Sequence, residues 1–276
     1  MGLSKKVAER LSTQLRRYQP ILLAAKSRDI NESDTVVIIG DMLADLLGYK
    51  KYSEITTEFA IRGTYVDLAV RVDDEVRFLV EAKAINSPLK DAYVKQAVDY
   101  GANNGIEWVI LTNGAIWQFY KIHFRQPIDK SLVYEVDLTA VNPRDPQMLE
   151  CFGTLAREEF TQQSMTAFFQ HQQAISRFSL AAALLGDNML KALRRELRLI
   201  APKIRVEEEQ LKSILESEVL KREVVDSEDA RRARAMFARV ARAAARAKAS
   251  PAQDPAISPI AVPPTPQQTG QEISHT

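Results

Sequence analysis

Residues 64–83 read TYVDLAVRVDDEVRFLVEAK, two short apolar runs on either side of an acidic turn, closing on Glu81-Ala82-Lys83. Val66, Leu68, Val70 and Val72 alternate with Asp67, Ala69 and Arg71, and Val76, Phe78, Val80 and Ala82 alternate with Arg77, Leu79 and Glu81. This period of two predicts paired strands joined as a β-hairpin. If Asp73, Asp74 and Glu75 form a three-residue loop, Val66 meets Ala82, Leu68 meets Val80, Val70 meets Phe78 and Val72 meets Val76 on one apolar face. The same register sets Asp67 opposite Glu81 on the other face, with Lys83 on their side. A two-residue loop would break that arrangement, because a slip of one residue turns every side chain to the opposite face.

Carboxylates facing each other across a ladder repel and call for a cation between them. A divalent metal meets the need, since hard cations such as Mg²⁺ take oxygen ligands from one or two carboxylates plus water and phosphate. Lys83 meets it equally as a plain salt bridge, and the sequence leaves both readings open.

Composition sets outer bounds. A chain of 276 residues with 46% hydrophobic content can bury a real core, and a net charge of +1 gives no overall basic character, so a nucleic-acid site has to come from local patches. Cys151 is the single cysteine, which excludes an internal disulfide and a multi-thiolate zinc site and suits a reducing cytoplasm. His123, His171 and His275 are too scattered for a zinc cluster. With no apolar leader and no run long enough to span a bilayer, a cytoplasmic protein without membrane contact is expected. No Gly-x-x-x-x-Gly-Lys-Ser/Thr motif occurs, so no ATP site and no P-loop motor is expected in this chain.

Outward from the hairpin, residues 4–27 predict two helical stretches, Lys5 to Arg17 and Ile21 to Lys26, with Pro20 as a first-turn proline or a break. Asn31 or Ser33 caps a helix carrying Val36, Val37, Ile39, Leu43, Leu46 and Leu47, which Gly48 ends. Glu32 sits in its first turn, where the helix dipole favours an anion. Lys51 to Ile61 gives the first strand, with Glu58 either exposed or at a rim. Leu89 to Asn103 predicts a helix with Leu89, Tyr93, Gln96 and Tyr100 on one stripe. Glu107 to Thr112 reads as a strand covered on both sides, Asn113-Gly114 as a hairpin turn, Ala115 to Ile122 as the return strand and Leu132 to Leu138 as an edge strand. Trp117, Phe119 and Tyr120 read as sheet residues packed on helices or as a stacking surface for bases.

From Met148 the pattern turns helical, over Phe152 to Glu159, Ser164 to Leu185, Asn188 to Ile200 and Val206 to Leu220. Arg194, Arg195 and Arg198 form a face that either meets phosphates or pairs with Glu207, Glu208 and Glu209. Ser227 opens an Ala/Arg-rich helix to Lys248, and the Pro-, Gln-, Ser- and Thr-rich stretch from Pro251 is expected to be disordered. The expected division is an N-terminal helical arm over 1–30, an α/β core over 31–141, a helical region over 148–223, a basic helix over 227–249 and a tail over 250–276.

Asp67 on one strand and Glu81-Ala82-Lys83 on the next resemble the core of PD-(D/E)xK nucleases. The run from Asn31-Glu32 through Leu46-Leu47-Gly48-Tyr49, Thr57-Glu58-Phe59, Gln96-Ala97-Val98-Asp99-Tyr100, Leu111-Thr112-Asn113-Gly114 and Trp117-Gln118-Phe119-Tyr120 is similar to the N-terminal domain of type I restriction enzyme R subunits, over about residues 30 to 125. Val66 stands where the superfamily name has its proline. The resemblance implies an α/β fold with a restriction-endonuclease-like mixed sheet flanked by helices, followed by an α-helical C-terminal region. It implies a Mg²⁺-dependent DNA endonuclease of a restriction or defence system, with Mn²⁺ as a substitute metal. Asp67, Glu81 and Lys83 would be catalytic, with metal held by Asp67, Glu81 and the Ala82 carbonyl. Glu32, Gln96 and Tyr100 would support the site. DNA is the implied partner, with the helical C-terminal part joining a homodimer or a defence complex. A catalytically silent DNA- or partner-binding module of the same fold is the other reading.

Overall fold

The computed structural model describes residues 3–61, 64–203 and 205–249. They fall into two compact units, divided between Ala181 and Ala182. In the first, a long helix α1 (Lys5–Arg28) and α2 (Glu32–Asp45) precede strands β1 (Ile55–Ile61), β2 (Thr64–Val72) and β3 (Glu75–Ala82). Helix α3 (Asp91–Asn103) then leads to β4 (Trp108–Thr112), β5 (Ile116–His123) and β6 (Asp129–Asp137), followed by α4 (Pro146–Leu155), α5 (Gln162–Ala174) and α6 (Arg177–Leu184), which runs across the boundary between the units. The six strands form one mixed sheet in chain order, antiparallel except where α3 carries the chain over so that β3 and β4 run parallel.

One face of the sheet is covered by α1, α2, α4 and α5. Leu68, Val70, Phe78, Val80, Trp117 and Phe119 meet Leu15, Leu22, Leu43 and Phe152 there in a continuous buried cluster. Phe152 closes it, with its ring 5.5 Å from that of Trp117 and 5.4 Å from that of Phe119. The other face is covered by α3, whose Val94, Ala97 and Val98 pack on Leu79, Val109, Leu111 and Ile122. The helix approaches the sheet closely at Gly101, where a Cβ would lie 2.6 Å from Ile122 Cδ1 and 2.9 Å from the Ile106 carbonyl.

Several expectations change. Pro20 neither starts nor breaks a helix, because Val7, Leu11, Leu15, Tyr18, Leu22 and Ala25 form one buried stripe that continues across it, and tertiary packing outweighs the missing N–H. Helix α1 is therefore part of the core rather than an arm, and α4 and α5 belong to the same unit as the sheet. Residues 51–54 form a turn before β1, and Glu54 in it is pinned by Arg157 at 2.7 Å. The helix expected over 164–185 breaks between α5 and α6 at Ile175-Ser176.

The hairpin turn is also shorter than expected. Asp73 and Asp74 alone make it, both with positive φ (53° and 62°) as a type I′ turn needs, and Val72 pairs with Glu75. The expected register nevertheless holds further along, since Val70 pairs with Phe78 and Leu68 with Val80. Arg77 is the extra residue between the Arg71–Val76 and Val70–Phe78 pairs, a β-bulge that restores what the short turn removes. The bulge turns Val76 to the α3 face. Val66 also packs on that face, next to the point where Glu58 of β1, with φ of 47°, lies across from Asp67 and interrupts the alternation.

The second unit is helical, with α7 (Asp187–Ile200), α8 (Glu208–Ile214), a π-helical turn over Leu215–Val219, α9 (Arg222–Asp226) and α10 (Glu228–Ala249). Arg194 pairs with Glu208 at 3.3 Å, so the arginine face of α7 is at least partly neutralised within the unit. The stretch expected to be disordered, 250–276, lies outside the described residues. No described helix is long and apolar enough to cross a membrane.

If α4 is integral to the sheet's core, Phe152→Ala should lower the unfolding free energy by about 3–5 kcal/mol in urea denaturation. A loss below about 1 kcal/mol would mean that the sheet closes its core without α4.

Candidate active site

Asp67 and Glu81 occupy the positions directly after the last ladder pair, Leu68–Val80, at the end of the hairpin away from its turn. The β3–β4 ladder ends at Ala82–Thr112, and the Lys83 N–H donates to the Thr112 carbonyl at 2.8 Å, so Lys83 is still held at the sheet's margin. Backbone geometry ties the acidic residues together, because the Ala82 N–H donates to Asp67 Oδ2 at 2.7 Å.

Lys83 Nζ is the centre of the cluster. It donates to Glu81 Oε1 at 2.9 Å and to the Ala82 carbonyl at 2.5 Å, with Glu32 Oε1 at 3.5 Å and Asp67 Oδ2 at 4.0 Å. Tyr93 of α3 places its ring 5.7 Å from the same ammonium. Glu32 arrives from the first turn of α2, whose N-cap is Asn31, its side chain accepting from Asp34 N at 2.9 Å. Asn31 is thus the cap, and Glu32 is free to face the lysine.

One ammonium serves three carboxylates, an excess of two negative charges in a half-buried cleft. Burial pushes the Asp67 carboxyl up from its ordinary value, against the opposing pull of the Ala82 N–H and Lys83, and Glu32 and Glu58 push it further. Burial likewise raises Glu81, with the Lys83 bond opposing and Asp67 adding to the rise. Burial acts to lower Lys83, but its bond to Glu81 and the surrounding carboxylates together outweigh it and the ammonium is held more firmly than usual.

Gln96 and Tyr100 lie apart from this group. The exposed Gln96 donates its amide to the Tyr65 carbonyl at 2.8 Å, tying α3 to β2 two residues before Asp67. Tyr100 packs edge-on against Phe59, ring centres 6.2 Å apart. Trp117, Phe119 and Tyr120 are buried in the sheet and offer no stacking surface. Tyr93 under the lysine and the left-handed Glu58 opposite Asp67 were not legible as site features. Tyr93 read as one of four stripe residues, and nothing in the sequence marks a positive φ within a strand. Among the described residues, no set of three or more His, Cys, Asp or Glu side chains is arranged to hold a metal unaided.

The molecule thus combines a mixed sheet between helices with two carboxylates and a lysine at one end of its central hairpin. Residues 39–132 match the family model described as Type I restriction enzyme R protein N terminus. The matched stretch runs from within α2 to β6 and contains Asp67, Glu81, Lys83, Gln96 and Tyr100, while Glu32 precedes it. No curated protein and no solved structure matches the chain.

The raised carboxyls have a consequence for stability. A folded-state carboxyl whose pKa exceeds its unfolded value holds its proton longer in the native state, so its stabilising contribution is present at low pH and is lost as pH rises through the folded value. Asp67→Asn, which keeps an acceptor for the Ala82 N–H, should therefore gain in melting temperature relative to the wild type as pH climbs from the ordinary carboxylate range to neutrality. A difference that stays constant with pH would show that Asp67 is not held against its charge.

Proposed function

We propose that the first unit is a metal-dependent DNA endonuclease of the PD-(D/E)xK type, acting in restriction or a related DNA defence. The observation that supports this most strongly is the charge excess around Lys83, which lies in a stretch that matches a restriction-enzyme family model. Two carboxylates raised by burial and a backbone carbonyl beside them form an oxygen donor set suited to a hard divalent cation that keeps several waters. Such a set needs no third carboxylate.

In this reading Asp67, Glu81 and the Ala82 carbonyl hold Mg²⁺, or Mn²⁺ in its place. The ion supplies Lewis acidity toward a phosphate oxygen and its water. Lys83 orients the attacking water and offsets charge that builds on the pentacovalent phosphorus as the phosphodiester bond breaks. Glu32 limits the reach of the Lys83 side chain from the α2 side. Gln96 acts through β2, fixing the backbone at Tyr65 from which Asp67 projects, and Tyr100 supports β1 through Phe59. No ATP-driven step is assigned to this chain.

Lys83→Ala should leave the protein folded and abolish Mg²⁺-dependent nicking of plasmid DNA; nicking that persists unchanged with the purified variant would remove Lys83 from the reaction. Mn²⁺ should raise the melting temperature of the wild type and not that of Asp67→Ala, because a ligand that binds only the native state stabilises it. A metal shift with no cleavage in either protein would favour the silent DNA-binding module.

A further inference from the structure

A second candidate site lies beside the turn end of the hairpin, on the same strands but clear of the acidic cluster. Arg71 and Asp67 are four residues apart on β2, roughly 13 Å along the strand. A cavity of about 470 Å³ opens there, between the β2–β3 hairpin, β1, the end of α3 and the start of β4. That size is within the range of small-molecule sites.

Its walls are aromatic, and two of its buried donors are unmet. Phe59, Tyr100, Trp108 and Phe160 line it. Trp108 is only 3% exposed, yet its indole N–H has no acceptor. Arg71 lies with its guanidinium carbon 4.9 Å from the centre of the Phe59 ring, and its Nε is buried without a partner. Among the described residues no carboxylate lies within ion-pairing distance of Arg71. The lining acids are already matched, Glu75 by Arg77 at 2.9 Å and Glu107 by Lys121 at 3.4 Å, although Glu107 Oε2 makes no hydrogen bond. Burying donors without acceptors is costly, so the cavity favours a ligand that brings acceptors and negative charge. Aromatic faces beside a free guanidinium add a preference for a planar ring, since bases stack on both.

We infer that this cavity binds a nucleoside monophosphate unit, its phosphate toward Arg71 and its base among the aromatic rings. Either a free nucleotide or the end of a DNA strand presents that unit. A bare phosphate would leave the aromatic walls unused, and an uncharged aromatic would leave Arg71 without a counter-charge.

Isothermal titration of the full chain with dAMP, with inorganic phosphate and with a short 5′-phosphorylated single-stranded oligonucleotide tests the inference. Saturable dAMP binding is expected, weakened roughly tenfold or more by Arg71→Gln and largely retained in Arg71→Lys. Trp108→Phe should weaken it as well, because it removes the unpartnered indole N–H; its smaller ring also loosens the packing on Phe169, so its melting temperature is measured beside its affinity. Equal affinity for dAMP and the oligonucleotide identifies the free nucleotide as the source, and tighter oligonucleotide binding that Arg71→Gln also weakens identifies a strand end. Phosphate binding as tightly as dAMP, no saturable binding of either nucleotide ligand, or full affinity in Arg71→Gln overturns the inference. Asp67→Asn should leave dAMP affinity unchanged, so this result stands or falls separately from DNA cleavage.

Discussion

Three carboxylates crowd a single ammonium at the open end of the β2–β3 hairpin, and most of what is distinctive in this molecule follows from that imbalance. Charges of like sign are tolerable in water and costly where burial lowers the local dielectric. Burial first, and the neighbouring carboxylates after it, hold Asp67 and Glu81 above their ordinary values, while the ammonium beside them is strengthened. An evolved ion pair that served only to stabilise would be expected to balance its charges. Here the backbone itself is recruited, with the Ala82 N–H donating to Asp67 and the Ala82 carbonyl accepting from Lys83. The peptide between Glu81 and Lys83 thus touches both sides of the cluster.

The scaffold is arranged to keep that peptide in place. Strand β3 is central, paired to β2 on one side and to β4 on the other, and buried on both faces. Helix α2 brings Glu32 from one face of the sheet and α3 brings Tyr93 from the other, so the lysine is flanked on both sides. Each helix is fixed by its own apolar contacts, α2 within the large cluster shared with α1 and α4, α3 through its close approach at Gly101. Precision at the site is therefore inherited from packing distant from it.

Much of this was readable from the residues. The alternation across 64–83 gave the hairpin and put Asp67, Glu81 and Lys83 at its end, and the apolar run over Trp108 to Thr112 gave a strand covered on both faces. The register was reached by a different route from the one expected. A three-residue loop was the simplest way to set Asp67 opposite Glu81, whereas the chain uses a two-residue turn and a bulge at Arg77, and a one-residue compensation of this kind leaves no periodic trace. Pro20 misled because its local cost is visible in the sequence, while the buried stripe that outweighs it depends on partners far along the chain. The membership of α4 and α5 in the sheet's core was hidden for the same reason. Glu58 read as an ordinary strand residue, since side-chain pattern carries no information on the sign of φ.

Two places among the described residues hold unmatched groups of opposite character. The acidic end lacks positive charge, and the cavity by Arg71 and Trp108 holds donors that no acceptor meets. A strand of nucleic acid with its bound cations carries both missing partners. The most direct measurement of the central claim is a crystal structure of the protein grown with Mn²⁺, using the metal's anomalous scattering to locate it. The account predicts one strong peak bonded to Asp67, Glu81 and the Ala82 carbonyl, with Lys83 Nζ turned away from that carbonyl. An anomalous map empty at this position, with Lys83 still bound to Glu81 and Ala82 at saturating Mn²⁺, would contradict it.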